Sequence, residues 1–221
     1  MDIIEAIKGR QSIRAFTKKI VPKEMVTNIL DTARFAPSGV NTQPWKVAVV
    51  FEKMRTQLGE KITEALDNNI SSNPDYMYYP EEWFEPYKSR RKACGSALYS
   101  ALDIDYHETE KRKAAWYRNY YFFEAPIGLL FFVDKKLQTG SIMDMGMFIQ
   151  NVMLAARHYG LETCPQAALA EYPDIVRAAL GMDDSHLLLC GMALGYADYE
   201  NPINQYRTSR EEVSTFTQFY I

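Results

Sequence analysis

The apolar positions of this chain recur at two different periods, and the switches between them mark out its elements. Ile3, Ile4 and Ile7 share one side of a short helix over Asp2–Gly9, with Gly9 as its stop. A second helix opens at Val21-Pro-Lys-Glu, with Pro22 at or just before its first turn, and Met25, Ile29, Leu30 and Ala33 form its apolar face. It delivers the chain to a polar loop, Ala36-Pro-Ser-Gly-Val-Asn-Thr-Gln-Pro-Trp45, ahead of a strand at Val47–Phe51 and an amphipathic helix around Met54–Leu66. From Asn68 to Gly95 the pattern breaks up into Pro, Tyr and acidic residues, which reads as an insertion or lid. Ala93–Leu102 and Glu108–Tyr121 read as helices. Ala125–Val133 is a strand, and Ser141–Tyr159 is a helix apolar on most sides, hence buried centrally or in an interface. Leu161–Ala168 reads as a short extended connection. A helix from Pro173 to Leu180, a third strand at Leu187–Leu194 and a tail over Asn201–Ile221 complete the chain. Separated strands among many helices predict an α+β layered domain.

Composition narrows the class without naming a function. At 221 residues, 47% hydrophobic and 24% charged, the chain suits one globular domain with or without an insertion. A net charge of −3 leaves no electrostatic footprint for nucleic acid. The longest apolar run, Ala125–Val133, is too short to span a bilayer, and Met1-Asp-Ile-Ile-Glu lacks the features of a signal peptide. Cys94, Cys164 and Cys190 form no CxxC pair, which suggests reduced thiols in a cytosol-like, cytoplasmic compartment. No GxGxxG, P-loop or GxSxG motif occurs, and three dispersed histidines make a zinc site improbable. Cys164, ahead of Pro165, is either a nucleophile or a small buried residue. A catalyst with so few reactive side chains would have its chemistry supplied by an organic cofactor.

Three features carry candidate binding chemistry. Arg10 and Arg14, flanking Ser12, could grip one anion through fork-like charge-assisted bonds, or could be two solvated surface arginines. The Ala36–Trp45 loop is either a connector or a binding loop held by a rigid scaffold. Tyr76–Tyr87 and Trp116–Phe123 are aromatic clusters that could be core, subunit interface or the walls of a pocket. The basic run Ser89-Arg-Arg-Lys92 reads as a solvated face.

Taken jointly, Arg10-x-Ser12-x-Arg14, Ala36-Pro-Ser-Gly-x-Asn-x-Gln-Pro-Trp45, Cys164-Pro-Gln-Ala-Ala168 and Gly195-Tyr-Ala-Asp198 with Arg207 resemble the nitroreductase family of FMN-dependent flavoenzymes. Arg118-Asn119, Phe122-Phe123 and Met147–Ala156 draw the likeness toward its nitrobenzene and nitrobenzoate reductase branch. The resemblance implies a mainly antiparallel sheet flanked by helices, in one domain over residues 1–221 that forms an intertwined homodimer. Residues 68–124 would be a helical, aromatic-rich lid, and residues 200–221 a tail reaching the partner subunit.

The resemblance also implies site residues. Arg10 and Ser12, with Gln11 between them, match contacts to the FMN phosphate and ribityl chain, and Arg14 matches a cation where charge gathers on flavin reduction. Arg207 matches a phosphate-binding arginine. The family often has a second basic residue two positions earlier, where this chain has Gln205, so the phosphate grip would be weaker or completed by Arg210. Pro165, Gln166, Ala167 and Ala168 match the segment whose backbone amides face flavin N5. Pro37, Ser38 and Asn41 match residues lent to the flavin of the neighbouring subunit. Gly39, Trp83, Phe84, Tyr87 and Tyr120 are candidates for the substrate pocket. The implied activity is ping-pong hydride transfer from NAD(P)H through FMN to an electron-poor acceptor, a nitroaromatic or quinone, with no dedicated acid or base and no metal. Dehalogenation, ene reduction or flavin breakdown on the same fold, a flavin-storage protein, and a cofactor-free interaction domain stand as rivals.

Overall fold

The computed structural model describes residues 2–221. Its order is α1 (Ile3–Gly9), α2 (Lys23–Ala33), β1 (Lys46–Phe51), α3 (Glu52–Asp67), α4 (Tyr87–Ala101), α5 (Thr109–Tyr117), β2 (Ile127–Asp134), α6 (Thr139–His158), β3 (Glu162–Gln166), α7 (Pro173–Leu180), β4 (His186–Gly195) and α8 (Val213–Phe216). The four strands pair antiparallel throughout in the order β1-β2-β4-β3.

The central strand explains the layering. In β2 every residue but the last is buried, because both faces of the sheet are covered. Leu129, Phe131 and Val133 point to one side, where they join Ile29 of α2 and Met145, Phe148 and Val152 of α6. Leu130 and Phe132 point to the other, against Leu58 and Ile62 of α3. The period of two thus builds one core on each side of one sheet. The alternation slips once. Phe131 pairs with Cys190 and Phe132 with Leu188, so Leu189 is an extra residue bulged out of β4.

Gly128 lets β2 approach its cover closely. A Cβ there would stand 2.7 Å from the Phe122 ring and 2.8 Å from Val50. Gly128→Ala is therefore expected to lower stability by about 1–3 kcal/mol through overpacking, measurable as a denaturant midpoint shifted without change of slope.

The sequence reading is corrected in two places. Leu161–Ala168 is not a plain connection: Glu162–Gln166 is the fourth strand, paired with β4. It is an edge strand, which is where a proline such as Pro165 fits a sheet, since an edge residue needs no ladder N–H. The irregular stretch ends earlier than expected, because α4 already starts at Tyr87. Within the protomer, helix α6 buries one face, including Met145, Phe148, Val152 and Ala156, and carries Met143 and Gly146 on the other, the face left for an interface in the sequence reading. Neither α4 nor α5 contributes a buried residue, so residues 87–117 lie at the periphery of both cores.

One buried ion pair ties the segment between α3 and α4 to the sheet. Arg177 of α7 donates from Nη1 to Asp75 at 2.6 Å and to the His186 carbonyl at 3.1 Å, and from Nη2 to Asp174 at 2.5 Å. Asp75 also accepts from the Leu188 amide at 2.9 Å.

Candidate active site

The two arginine motifs, nearly two hundred residues apart in the chain, meet in one cavity. Helix α1 ends at Gly9, packed so tightly that a Cβ would come within 2.6 Å of the Arg157 guanidinium. Beyond it the chain is extended. Ser12 bridges to Thr163 of β3, the Ile13 amide donates to the Thr163 carbonyl at 3.0 Å, and Ile13 and Ala15 turn into the core. The alternation therefore directs Ser12 and Arg14 outward.

Buried Asn204 brings the tail to the same place. Its side chain accepts from the Arg14 amide at 2.8 Å and donates to the Ala15 and Asp198 carbonyls, both at 2.8 Å. The Gln11 side chain donates to the Asn204 carbonyl at 2.8 Å. Residues 206–210 then run along the end of α1. Arg207 donates to the Lys8 carbonyl at 2.5 Å, the Gly9 carbonyl at 3.0 Å and the Gln11 side chain at 3.2 Å. It thereby satisfies carbonyls that the helix end leaves open.

The result is a cavity of about 390 Å³ lined by Lys8, Arg10, Arg14, Arg207 and Arg210, with Ser12 among its polar donors and no carboxylate in its wall. Burial, the adjacent Arg210 and then Arg207 push the Arg10 guanidinium below its ordinary basicity, with Glu162 opposing them. Like charges gathered under desolvation favour a bound anion. Arg14 is held in place by its bonds to the Ser12 carbonyl at 3.2 Å and the Tyr206 hydroxyl at 3.0 Å. Arg118 fixes Arg14 from behind, donating to its carbonyl at 3.1 Å.

Gln205 turns away from this cavity. Its amide donates to the Tyr199 and Glu200 carbonyls at 3.4 and 3.3 Å, leaving Arg210 as the further cation of the wall. Tyr206, Thr208 and Cys94 also line the cavity and escaped the sequence reading. Tyr206 and Thr208 were signalled only by flanking Arg207; Cys94 carried no signal at all.

Strand β3 leads from the Ser12 bridge to a second cavity. Pro165 is exposed and Ala168 buried. The Gln166 side chain is buried, donating to the Asn119 carbonyl at 2.7 Å, while its Oε1 has no protein partner. Ala167 borders a space of about 330 Å³ walled by Tyr76, Tyr78 and Tyr79, with Glu81 and Glu171 at its margin. Among the aromatic candidates, Trp83 is half-buried under Arg91 at 5.2 Å, and Phe84 and Tyr87 are exposed and pack edge to face at 5.2 Å. None of the three lines either cavity. Tyr120 corrects the sequence reading outright. It is 0% exposed, a core residue whose hydroxyl donates to Glu171 at 2.9 Å and accepts from Trp116 at 3.1 Å. A phenol surrounded by Leu58, Tyr172 and Val176 gains more from burial than from facing a ligand.

The Ala36–Trp45 loop is built as a rigid projection. Ser38 Oγ accepts from the Gln43 amide at 3.0 Å, and the Gly39 amide donates to the buried Asp144 of α6 at 3.1 Å. Val40, Asn41 and Gln43 all adopt positive φ, at 44°, 58° and 49°. Left-handed non-glycine residues are uncommon and persist where surrounding bonds over-determine them, as here and at Phe122–Glu124. Trp45 stacks on Phe148 at 5.0 Å, fixing the exit of the loop. Pro37, Gly39 and Asn41 are exposed and Val40 is 97% exposed, yet the loop lines neither cavity of its own protomer.

The nitroreductase family profile matches residues 7–196. The 4-nitrobenzoate reductase of Pseudomonas putida is 35% identical over 218 residues, covering 99% of this chain and 95% of its own. The chloronitrobenzene nitroreductase of Comamonas testosteroni is 36% identical over 218 residues, with 98% and 96% covered. The crystal structure of NfnB from sphigopyxis sp. strain HMH, an FMN and NADPH-dependent nitroreductase, superposes with a TM-score of 0.96 at 33% identity, covering 100% of this chain and 99% of that one. The FMN-dependent nitroreductase NfnB of Mycobacterium smegmatis, solved in complex with NADPH, gives 0.93 at 34% identity, with 99% and 97% covered. With profile, relatives and fold in accord over nearly its whole length, this chain belongs to the nitroreductase family.

Proposed function

We propose that the protein is an FMN-dependent oxidoreductase that reduces electron-poor aromatic nitro compounds at the expense of NAD(P)H. The observation that carries this reading is the cavity where Arg10, Arg14, Arg207 and Arg210 converge without a carboxylate. Its donors suit a phosphate monoester, which pairs best with several forked cations and a hydroxyl. Arg10, Arg207, Arg210 and Ser12 would hold that phosphate, and Arg14 would lie further along the cofactor, toward the flavin ring. The backbone amides of Ala167 and Ala168 would face the reactive edge of the ring from the end of β3.

Bound FMN would supply reversible two-electron chemistry, accepting hydride from NAD(P)H and yielding it to a nitroaromatic or a quinone in ping-pong order. The chain's own part is positioning and electrostatics. Two rings held stacked need little further assistance to exchange hydride, and a fixed guanidinium such as Arg14 favours the state carrying more negative charge.

The complete site is formed by a homodimer in this proposal. Pro37, Ser38 and Asn41 project from the protomer on a braced loop and would reach the partner's flavin, with Gly39 beside them on the acceptor side. Apolar side chains exposed on the same chain, among them Phe35, Val40 and Met143, support burial against a second copy. The tail approaches α1 of its own protomer through Arg207, so partner contact is assigned to its outermost residues, where Phe219, Tyr220 and Ile221 are exposed. Residues 68–124 act as the lid over the tyrosine-walled cavity.

The purified protein given FMN is expected to be yellow, to bleach under anaerobic NADH or NADPH, and to regain colour on addition of a nitrobenzene. Protein that stays colourless after incubation with FMN would overturn the reading, and yellow protein that neither nucleotide bleaches would be a flavin-storage protein.

A further inference from the structure

The two cavities differ in the sign of charge they present. The first is lined by five cations and no carboxylate, whereas the second contains Glu81 and Glu171 and no Lys, Arg or His. Its walls are the faces and edges of Tyr76, Tyr78 and Tyr79, with Tyr78 and Tyr79 packed at 4.7 Å and 74°. A volume of about 330 Å³ suits one substituted aromatic ring.

The walls are anchored. Tyr76 donates its hydroxyl at 2.5 Å to the carbonyl of Leu189, the residue bulged out of β4. Glu171 is held by a chain in which Trp116 donates to Tyr120 at 3.1 Å and Tyr120 donates to Glu171 Oε2 at 2.9 Å. Only Tyr120 donates to the carboxylate, at Oε2, so Oε1 remains an acceptor for the cavity. The cation acting on this wall, Arg91, stacks over Trp83 at 5.2 Å and acts on Tyr79, and it does not line the cavity.

We propose that the tyrosine-walled cavity is the seat of the aromatic acceptor, and that Glu171 makes it select rings without negative charge, favouring those with an N–H or O–H donor. A carboxylated ring placed there sets like charges together in a partly desolvated space, which is strongly unfavourable. An amide or amino substituent in the same place finds an acceptor. This substrate class rests on the flavoenzyme reading only in that Ala167, at the cavity edge, would face the flavin. The selectivity itself is a property of the cavity.

The pair 4-nitrobenzamide and 4-nitrobenzoate tests it, being nearly isosteric and differing in charge. Dissociation constants would be read by quenching of protein fluorescence at pH 8, with FMN supplied, and kcat/KM would be read beside them. The amide is expected to bind at least about tenfold tighter, a difference of about 1.4 kcal/mol. Glu171→Gln, which can still accept from Tyr120, is expected to bring the ratio within about threefold. Tyr78→Leu should weaken both ligands and leave the ratio in place. Equal binding of the two ligands by the native protein, or a ratio that Glu171→Gln does not move, overturns the proposal. Amide preference in protein that retains no flavin would uphold the cavity's selectivity while overturning the flavoenzyme reading.

Discussion

Arg10→Ala combined with Arg207→Ala is expected to weaken FMN binding by at least about a hundredfold while barely changing the affinity for riboflavin. Each charged hydrogen bond to an anion is worth about 1.5–3 kcal/mol, so each single variant should lose about tenfold or more. Riboflavin is the decisive control because it lacks the phosphate. If the double variant loses riboflavin as badly as FMN, the arginines are scaffold and the phosphate assignment is wrong. Arg207 makes that control necessary, since it also closes the end of α1 through the Lys8 and Gly9 carbonyls. Arg210 offers a cleaner single test. Its Nη1 bonds stay within Thr208 and Ser209, so Arg210→Ala removes a cation from the cavity and leaves the approach of the tail to α1 intact. A loss of about threefold to tenfold in FMN affinity is expected for it, shrinking as salt screens the exposed charge. Titration of flavin fluorescence at two salt concentrations reads both effects.

Arg177→Met is expected to give the largest loss of stability, about 3–5 kcal/mol, because it removes one partner of a buried ion pair and leaves the other uncompensated. Arg177 and Asp75 have side chains only 7% and 8% exposed. Chemical denaturation should show the loss. Asp75→Asn together with Arg177→Met should recover part of it, since the stranded charge is then gone. The same pair holds the segment between α3 and α4 beside Leu188, one residue before the bulged Leu189 whose carbonyl anchors Tyr76. Arg177→Met should therefore also loosen the tyrosine wall, seen as weaker binding of 4-nitrobenzamide under conditions where the variant remains folded. Unchanged stability in Arg177→Met would show that the Leu188 amide and water suffice to carry Asp75.

How much of this was legible in the sequence depended on how local the cause was. Helix α7 was readable because Pro173 opens it and an apolar face runs to Leu180, and the structure adds Gly181 closing it in a left-handed conformation at φ 65°. Strand β2 was readable because its run of apolar residues needs cover on both sides. The loop at Ala36–Trp45 was readable as polar and punctuated by Pro and Gly, and its place in an ordered set of motifs identified the family.

Strand β3 was not readable, since Glu162-Thr-Cys-Pro-Gln166 has neither alternation nor strong strand formers. It is a strand because β4 offers it an edge and Ser12 bridges it from the far side. Tyr120 could not be told from its aromatic neighbours, because burial of one ring among several depends on how the turn after α5 meets Tyr172 and Val176.

By itself, then, the sequence determined the elements whose hydrophobic period and end signals lie within a few residues of one another, and the residue types that could grip an anion. The tertiary structure alone decided which of those residues meet. It set Arg10 beside Arg210, turned Gln205 away, paired Arg177 with Asp75, and left one cavity cationic and the other bounded by Glu81 and Glu171. The physical reason is range: hydrogen-bonded turns and amphipathic faces are fixed by near neighbours, whereas charge clusters and cavities are sums over segments that only the packed sheet and helices bring together.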